Sequence, residues 1–326
     1  MIALIDEEQM SAKQQPAGSS FHVPVLLQQT ISSLRPSPGK LFLDGTIGGG
    51  GHAFALLAAG ASVIGCDQDP EALQETARRV ACFSDRIRLV EANFADLAEE
   101  FPSYGVNAFD GILLDLGVSS HQLDTPSRGF SFLGDGPLDM RMGPHVRRTA
   151  ADIVNEASQE ELARIFFEFG EESAARRLAS RIVKARSQTP LRTTRDLVEV
   201  IEKVIPQRGP RHPATKAFQA LRVAVNNELD SVERGVRRLA PYVKTGGRLS
   251  VISFHSLEDR IVKRFFREVS QEWIDRPEWS APRRNPAYAF RLVTARPIEP
   301  GEEEVSQNSR ARSAKLRVIE RISNDS

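Results

Sequence analysis

A short apolar strand followed by a glycine-rich turn is the feature that most constrains how this chain can fold. Residues 41–43 predict a buried strand, Asp44 ends it, and five glycines follow between positions 45 and 51. A helix is predicted next, and a strand, a glycine turn and a helix in this order present free backbone N–H groups to a ligand. The next predicted strand ends in Asp67, 19 positions beyond Gly48, where nucleotide folds place the carboxylate that holds ribose hydroxyls. The pattern predicts a site for an adenosine-type cofactor.

Two cofactor classes fit this turn, and two carboxylates favour one of them. The spacing Gly48-x-Gly50-x-x-Ala53 also satisfies the fingerprint of dinucleotide-binding folds. Asp44, however, would repel a pyrophosphate and suits the cationic amino end of a methionine. A later apolar strand ends in Asp115, where methyltransferases keep polar groups beside the departing methyl, and we therefore predict S-adenosylmethionine. The alternatives are an NAD-linked oxidoreductase, for which no catalytic Tyr/Lys or hydride-site His is apparent, and a glycine turn without a ligand.

The order of strands and helices predicts an α/β fold, with a mostly parallel sheet wrapped by helices. Strands are predicted at 41–44, 61–67, 86–91 and 109–115, and helices at 48–59 and 69–82. Right-handed crossovers bring the carboxyl ends of such strands to one edge of the sheet. Asp44, Asp67 and Asp115 are therefore expected to meet in one crevice. Phe94, just after the third strand, either stacks on an adenine there or caps the sheet.

The alternation of strands and helices stops after the fourth strand. Residues 119–149 form a long loop that is too apolar for disorder, and we expect it to fold over the crevice as a lid or substrate loop. A helical pattern follows to about residue 205 with no strand inside it. This predicts a small helical module inserted into the α/β domain.

The main fold is predicted to resume after this module. The pattern indicates one long helix from 213 to about 239, a fifth strand that ends at Ser253 and a helix from Ser256 onward. Residues 272–300 are proline-rich, and we expect a mobile loop region there. The alternating tail from 309 is expected to end the sheet as an edge strand.

Charge is distributed unevenly along the chain. The whole sequence carries 43 basic and 43 acidic residues, but residues 141–222 contain 16 Lys and Arg against 10 Asp and Glu. A basic middle with acidic ends predicts a part that meets a polyanion, although a solvated helical surface is the alternative. The candidate RNA-binding side chains are Arg176, Arg177, Arg181, Lys184, Arg186, Arg208, Arg211 and Lys216.

Composition narrows the class of protein further. No stretch approaches the 18 or more apolar residues of a membrane span, and the acidic start has no basic region typical of a secretion signal. Cys66 and Cys82 have no CxxC spacing, which predicts reduced thiols and a cytoplasmic protein. Residues 1–20 are expected to be a disordered polar tail. The six histidines are scattered, so we expect no metal site, and the sequence is compatible with a monomer or a dimer.

These motifs together resemble the bacterial 16S ribosomal RNA cytosine-N4 methyltransferases. The resemblance runs from about residue 22 to 321 in several long blocks. The blocks are His22-Val-Pro-Val-Leu-Leu, Asp44-Gly-Thr-Ile-Gly-Gly-Gly-Gly-His52, Leu114-Asp115-Leu-Gly-Val-Ser-Ser, Arg128-Gly-Phe-Ser-Phe, Asp135-Gly-Pro-Leu-Asp-Met-Arg141, Arg211-His-Pro-Ala-Thr-Lys-Ala-Phe-Gln-Ala-Leu-Arg222, Asn226-Asn-Glu-Leu and Ser253-Phe-His-Ser-Leu-Glu-Asp-Arg260. The chain departs from the family pattern at Gln28-Gln29, where acidic residues are frequent, and at Ser309, where proline is frequent.

The resemblance implies a fold, a reaction and a substrate. The fold would be a class I, Rossmann-like methyltransferase with an inserted all-helical substrate-recognition domain. Its parts would be methyltransferase segments at 21–130 and 218–326 and the helical domain at 131–217. The reaction would methylate the N4 amine of a cytosine in the decoding region (P site) of 16S rRNA. A mature or partly assembled 30S subunit would be the substrate.

The resemblance also implies roles for individual residues. Gly50, Gly51 and His52 would contact the cofactor from the first loop, together with Asp44. The ribose would lie on Asp67 and the adenine on Phe94, whereas Asp115 and Gln122 would close the site.

The chemistry of an exocyclic amine selects the catalytic candidates. The enzyme must accept a hydrogen bond from N4 while it holds the nitrogen in line with the methyl group. Asp115 is the first candidate, since the Pro-Pro-aromatic element of N4-specific DNA enzymes is absent here. Asp139 and His255 are weaker candidates, because Asp139 could anchor its loop to Arg141 and His255 could cap the following helix. A non-catalytic assembly factor that clamps rRNA is the rival from another class.

Overall fold

A seven-stranded β-sheet forms the centre of the protein. The computed structural model describes residues 24–207, 209 and 212–323. The strands are β1 (Leu41–Asp44), β2 (Ser62–Asp67), β3 (Ile87–Glu91), β4 (Phe109–Asp115), β5 (Val243–Ser253), β6 (Trp273–Ile274), β7 (Arg283–Arg284), β8 (Phe290–Leu292) and β9 (Lys315–Arg321). The order in the sheet is β3-β2-β1-β4-β5-β9-β8, and β6 and β7 pair separately as a hairpin. Neighbours from β3 to β5 are parallel, whereas β9 is antiparallel to both β5 and β8.

The strand order reverses between β1 and β4, and this reversal positions the candidate site. The chain passes from β1 outward to β2 and β3 and then returns to the other side of β1 as β4. In open α/β sheets, ligands bind outside the carboxyl ends of the strands at such a switch point. The strands end there in Asp44, Asp67 and Asp115, so these carboxylates lie at one edge of the sheet, as predicted.

Helices cover both faces of the sheet, and further helices form a separate group. The helices of the described residues are α1 (Leu27–Leu34), α2 (Gly51–Ala58), α3 (Pro70–Arg79), α4 (Ser120–Asp124), α5 (Ala150–Glu156), α6 (Gln159–Glu168), α7 (Ala175–Arg186), α8 (Thr194–Glu202), α9 (Ala214–Asn226), α10 (Glu228–Leu239), α11 (Ser256–Ser270) and α12 (Glu302–Gln307). Side chains alternate across a strand, so Phe42 packs with α1 and α2, whereas its neighbour Leu43 packs with α10 and α11. The predicted class I methyltransferase fold is therefore confirmed.

The helices from α5 to α9 have a hydrophobic core of their own. Its buried members run from Phe130 to Val225 and include Phe166, Leu178 and Leu221, all almost completely buried. This separate core supports the predicted helical domain at 131–217, but its last helix continues past residue 217 into the methyltransferase part. The domain boundaries stay a prediction.

The long helix predicted from 213 to 239 is broken at Asn227. That residue has a left-handed backbone with φ of 51°, a conformation that Asn tolerates better than most side chains. The chain therefore ends α9 at Asn226 and begins α10 at Glu228. The prediction of a continuous helix was wrong because the apolar periodicity runs on across the break.

Two predictions about the carboxyl-terminal third were also wrong. Residues 272–300 contain the β6–β7 hairpin and strand β8, so they are not simply a loop. The tail strand β9 lies inside the sheet between β5 and β8, and β8 is the edge strand instead. A three-residue strand such as β8 gives too short a pattern to be recognised in the sequence. The predicted tail at 1–20 lies outside the described residues.

Candidate active site

A cleft of about 420 Å³ opens at the carboxyl edge of the sheet, beside the switch point between β1 and β4. Most of the predicted cofactor residues line it: Gly51, His52, Asp67, Phe94, Asp115 and Gln122. Loops after four different strands thus contribute to one cavity, as the topology requires.

The glycine turn forms the floor of the cleft at the start of α2. Gly48 and Gly50 have φ of 50° and 74°, which side chains other than hydrogen rarely permit. The Gly48 N–H donates to Asp67 Oδ2 at 2.9 Å, and the Thr76 hydroxyl donates to the Gly48 carbonyl at 2.7 Å. A Cβ at position 50 would lie 2.9 Å from Thr76. Gly50 therefore faces α3, outside the cleft lining, and it acts by allowing close packing of the turn.

Asp67 joins the glycine turn to the start of the next helix. Its carboxylate accepts the N–H groups of Gly48 and Asp69, both at 2.9 Å. Burial raises the pKa of Asp67 to about 6, although these two N–H groups favour the charged form. The carboxylate is thus mostly ionised at neutral pH and lies on the cleft wall, where the prediction requires a ribose-binding group.

Asp44 lies just beneath the cleft surface and is not part of the lining. Its side chain is 1% exposed, and its Oδ1 accepts the Thr46 N–H at 3.3 Å. Burial raises the pKa of Asp44 to about 7, and the nearby Asp67 adds to this effect. The Asp44 carboxyl group would therefore act on the cofactor through its charge and not through direct contact.

Asp115 and His52 meet at the inner end of the cleft. His52 Nε2 lies 3.2 Å from the Val25 carbonyl, and Nδ1 lies 3.5 Å from Asp115 Oδ2. Burial lowers the pKa of His52 to about 4, so the ring is neutral. A proton on Nε2 would donate to Val25 and leave Nδ1 as an acceptor that faces Asp115.

One oxygen of Asp115 is an acceptor without a partner in the described chain. The backbone N–H of Asp115 donates to Thr46 Oγ1 at 2.6 Å, but its Oδ1 is buried without a hydrogen-bond partner in the described part of the chain. Burial raises the pKa of Asp115 well above its usual value, and the charges of Asp44 and Glu258 add to this. Buried polar atoms without partners are rare and call for an explanation. A ligand that brings a hydrogen-bond donor or a positive charge to Oδ1 would supply the missing partner.

Phe94 contacts helix α10 at a glycine. A Cβ at position 235 would lie 2.3 Å from the Phe94 ring, so only glycine permits this approach. The ring also packs partly against the sheet core, while the residue lines the cleft. Both predicted roles of Phe94, cleft aromatic and cap of the sheet, are therefore compatible with its position.

Gln122 connects the loop after β4 to the start of α3. Its Oε1 accepts the Ser119 N–H at 3.0 Å in a capping box, and its Nε2 donates to Asp69 Oδ2 at 2.9 Å. The same Asp69 oxygen pairs with Arg128 at 2.8 Å. Asp69 and Arg128 were not predicted as site residues, although Asp69 precedes Pro70 in the pattern of a helix start.

The long loop at 119–149 reaches the cleft, as the sequence predicted. Met142 lines the cavity, and its N–H donates to Asn226 Oδ1 at 2.8 Å. Asn226 Nδ2 in turn donates to the Met140 carbonyl at 2.8 Å. The loop is thus bound to the end of α9, at the helix break that the sequence did not reveal.

A cluster of buried charges lies on the far side of the cleft. Arg222 binds Glu228 through two hydrogen bonds of 2.8 and 2.9 Å, and both line the cavity with Glu258. Although burial opposes ionisation, contacts with His255 and Arg222 hold the pKa of Glu258 below its usual range. Sequence reasoning missed these residues because they become neighbours only through the break at Asn227.

The same cluster contains one set of possible metal ligands in the described part of the chain. Oxygen and nitrogen atoms of Glu228, His255 and Glu258 lie within 4.8 Å of one another. The Arg222 guanidinium already binds both oxygens of Glu228, and a cation beside it would be repelled. The geometry therefore favours an ion-pair cluster over a metal site.

The two weaker catalytic candidates occupy structural positions. Asp139 binds Arg141 through two hydrogen bonds of 2.8 Å, which is the loop-anchoring role that the sequence also allowed. His255 is the N-cap of α11, where its Nε2 lies 3.1 Å from Glu258 Oε1. Asp139 and His255 are not among the residues that line the cleft.

The predicted RNA-binding side chains divide into two groups. Arg176, Arg177, Arg181 and Lys184 are exposed on α7. Arg186 Nη1 instead donates to the Val154 carbonyl at 2.8 Å, and Lys216 Nζ donates to the Glu171 carbonyl at 2.7 Å. Arg208 and Arg211 lie outside the described residues.

Comparison with known proteins decides the family. Residues 19–322 match the MraW methylase family. The chain belongs to this family. Similar proteins include ribosomal RNA small subunit methyltransferase H of Syntrophotalea carbinolica, which is 50% identical over 309 residues, 92% of this chain and 98% of that protein. The protein of the same name from Carboxydothermus hydrogenoformans is 46% identical over 305 residues, 93% of this chain and 98% of that protein.

Membership of the MraW methylase family decides between the cofactor alternatives. The chain is a methyltransferase that uses S-adenosylmethionine, so the oxidoreductase and the ligand-free turn are set aside. The residues present fit this donor, because the carboxyl groups of Asp67 and Asp115 line the cleft and that of Asp44 lies just beneath it, close to the positive charge that the donor would bring. None of the helices in the described ranges is long and apolar enough to span a membrane.

Proposed function

We propose that this chain methylates the N4 amine of a cytosine in the decoding region, at the P site, of 16S rRNA. The relatives named ribosomal RNA small subunit methyltransferase H support an rRNA substrate. The observation that carries the proposal is the Asp115 carboxyl group, which lines the cleft and has one oxygen, Oδ1, without a partner in the described chain. An oxygen in this state can accept the hydrogen bond that an amine donates.

The residues of the cleft assign an orientation to the cofactor. Asp67, on the wall after β2, would accept the ribose hydroxyls, and the half-buried Phe94 ring would contact the adenine. The methionine end would then lie toward Asp44 and Asp115, at the switch point between β1 and β4. S-adenosylmethionine supplies an electrophilic methyl group whose leaving thioether is neutral, so the protein needs no acid at this position.

Asp115 would act on the amine as a carboxylate. In the ligand-free protein its pKa is raised well above the usual value by burial, and the positive charge of the bound donor would lower it again and favour the ionised form. The carboxylate would accept the hydrogen bond from N4 and would then take up the proton that N4 gives up once the new N–C bond has formed and the C–S bond of the donor has broken. The contact orients the nitrogen and favours its pyramidal form, which makes the lone pair available for attack.

The target cytosine must leave its base stack to reach this cleft. N4 of a paired base is not accessible to a buried donor, so the base would be single-stranded or flipped out. We propose that the helical module at 131–217 binds the surrounding rRNA through the exposed cations of α7. A 30S subunit in the cytoplasm is the proposed substrate, because it presents this region in a folded form.

Analysis of the methylated nucleoside tests the proposal. Small ribosomal subunits that lack the modification are incubated with the protein and isotopically labelled S-adenosylmethionine, and the 16S rRNA is digested to nucleosides. The expected product is N4-methylcytidine from the decoding region, formed by the wild type and strongly reduced with Asp115→Asn. Binding of the subunit without any methyl transfer would instead favour the assembly-factor alternative.

A further inference from the structure

Helix α11 carries a stripe of cations that the methyl transfer described above does not use. Arg260, Lys263, Arg264 and Arg267 are exposed at spacings of three and four residues, which places them on one side of the helix. A shallow groove of about 530 Å³ runs along them to Asn285 in the β6–β7 hairpin. The opposite side of α11 packs into the core of the sheet.

Two of these cations are available to an external anion. Lys263 and Arg267 form no ion pair and no side-chain hydrogen bond with any residue that the structure describes. The other two pair with surface glutamates at 3.1 and 2.6 Å, yet their side chains remain 66% and 62% exposed. The acidic residue in the groove, Glu268, is already neutralised by Arg237 at 2.8 Å. The net field of the groove is therefore positive.

The hairpin beside this groove carries two tryptophans, which lie outside the groove lining. Trp273 is 54% exposed, an unusual state for a large aromatic side chain. Trp279 lies near the turn, with the guanidinium groups of Arg276 and Arg283 at 5.0 and 4.8 Å from its ring centre. Flat aromatic rings beside guanidinium groups are the surface on which unpaired bases stack.

Asn285 fixes the hairpin to α11. Its buried Nδ2 donates to the carbonyls of Glu268 and Gln271 at 2.6 and 2.7 Å. Its N–H also donates to the Glu272 carbonyl at 2.8 Å. The hairpin and its tryptophans are thus held in a fixed position next to the end of α11.

The position of α11 connects this surface to the cleft. The helix begins directly after β5, and Phe254 and Glu258 at its start line the cavity. With 15 residues it extends for about 22 Å away from that edge. A strand of RNA whose base enters the cleft would reach the cations by following the helix.

We propose that this cation–tryptophan face, formed by Lys263, Arg267, Trp273 and Trp279, binds the RNA that flanks the target cytosine. Phosphates would lie on the helix cations, and an unpaired base would stack on the exposed tryptophan. An acidic protein surface would use the charges but would leave the aromatic rings without a partner, so RNA is the better fit. The inference rests on the proposed function, because it assigns a second contact with the same substrate.

Two variants and one control test the proposal. Lys263→Ala/Arg267→Ala removes two exposed charges, and Trp273→Ala removes an exposed ring, so neither disturbs the core. Arg35→Ala/Arg78→Ala is the matched control, since both arginines are exposed on elements that cover the other face of the sheet. Binding to 30S subunits and to protein-free 16S rRNA is measured over a range of salt concentrations, together with KM, kcat and affinity for S-adenosylmethionine.

The expected result separates RNA binding from chemistry. Loss of two phosphate contacts should weaken binding to both substrates about tenfold and reduce the slope of log affinity against log salt by about 2. Trp273→Ala should raise KM with little change in the salt slope, and kcat and cofactor affinity should stay as in the wild type. The proposal would be overturned if the Lys263→Ala/Arg267→Ala variant and the control bound these substrates with equal affinity. Weaker binding to subunits but not to free rRNA would also overturn it, because it would indicate a protein partner.

The proposed function and this inference are tested by different measurements, methyl transfer for the first and RNA binding for the second. A wild type that binds subunits but forms no N4-methylcytidine would contradict the proposed function alone. The binding comparison would still decide whether the cation–tryptophan face meets RNA.

Discussion

Asp115 combines two properties that single residues rarely share, a partly buried carboxyl group at a cleft and a carboxyl oxygen without a hydrogen-bond partner in the described chain. Its raised pKa shows that the ligand-free protein keeps this group in an unfavourable environment. Such groups are concentrated at functional sites, where a ligand later compensates them. The residue could be selected from the sequence because it ends an apolar strand, but its free Oδ1 and its contact with His52 depend on the folded cleft.

Replacement of Asp115 tests its role in the chemical step. Asp115→Asn removes the carboxylate that accepts from N4 while it keeps the size of the side chain. We expect kcat to fall on the order of 100-fold. The thermal midpoint should stay equal or rise, since a buried acidic group is removed. Turnover close to that of the wild type, measured on 30S subunits, would exclude Asp115 from the reaction.

Asp44 should make the stability of the ligand-free protein depend on pH. Its pKa is raised from 3.8 to about 7 by burial, so the folded state binds a proton more tightly than the unfolded chain. The stability that this shift contributes is fully present below about pH 4 and is lost as the pH rises toward 7, by about 4 kcal/mol. Asp44→Asn should reduce this loss. Thermal midpoints of both proteins from pH 4 to 8 provide the measurement, and parallel curves would contradict the assignment.

At the scale of secondary structure, the break between α9 and α10 organises the cleft. The left-handed Asn227 turns the chain so that Asn226 holds the lid loop and Glu228 holds Arg222. The four parallel strands predicted from 41 to 115 agree with the structure to within one residue, because each is a short apolar run with a clear end. The break was missed because the hydrophobic periodicity continues on both sides of a single residue.

Helix α10 should tolerate no side chain where it contacts Phe94. Gly235→Ala would ordinarily favour a helix by about 1 kcal/mol. Here its Cβ would lie 2.3 Å from the Phe94 ring and displace it. We expect weaker binding of S-adenosylmethionine, by about tenfold, as for a lost aromatic contact of about 1.4 kcal/mol. Phe94→Leu is the matched change, and calorimetric titration that finds both variants with normal affinity would refute the contact.

Two arginines of helix α7 should have different roles, Arg181 in RNA binding and Arg186 in stability. Arg181→Ala removes an exposed charge, so it should weaken binding to 30S subunits without a change in thermal midpoint. Arg186→Ala removes the hydrogen bond to the Val154 carbonyl and should lower the free energy of unfolding by about 1 kcal/mol. Equal losses of stability in the two variants would contradict the assignment of Arg186 to stability and Arg181 to RNA binding.

At the scale of the whole molecule, the carboxyl edge of the sheet carries the cofactor cleft, and α11 begins at the same edge. The cofactor residues come from loops after parallel strands, which is why sequence spacing located them. The charges around Arg222 and the face on α11 come from helices α9 to α11, and only the fold brings them beside the first half of the chain. Local patterns specify strands and turns, whereas neighbours separated by a hundred residues depend on how the sheet closes.

A crystal structure of the protein with S-adenosylhomocysteine tests the central claim most directly. We expect the ribose on Asp67, the adenine against Phe94 and the sulfur close to Asp115, with Asp115 Oδ1 left for the substrate amine. A ligand bound in another cavity, or bound in this cleft with its sulfur far from Asp115, would contradict it.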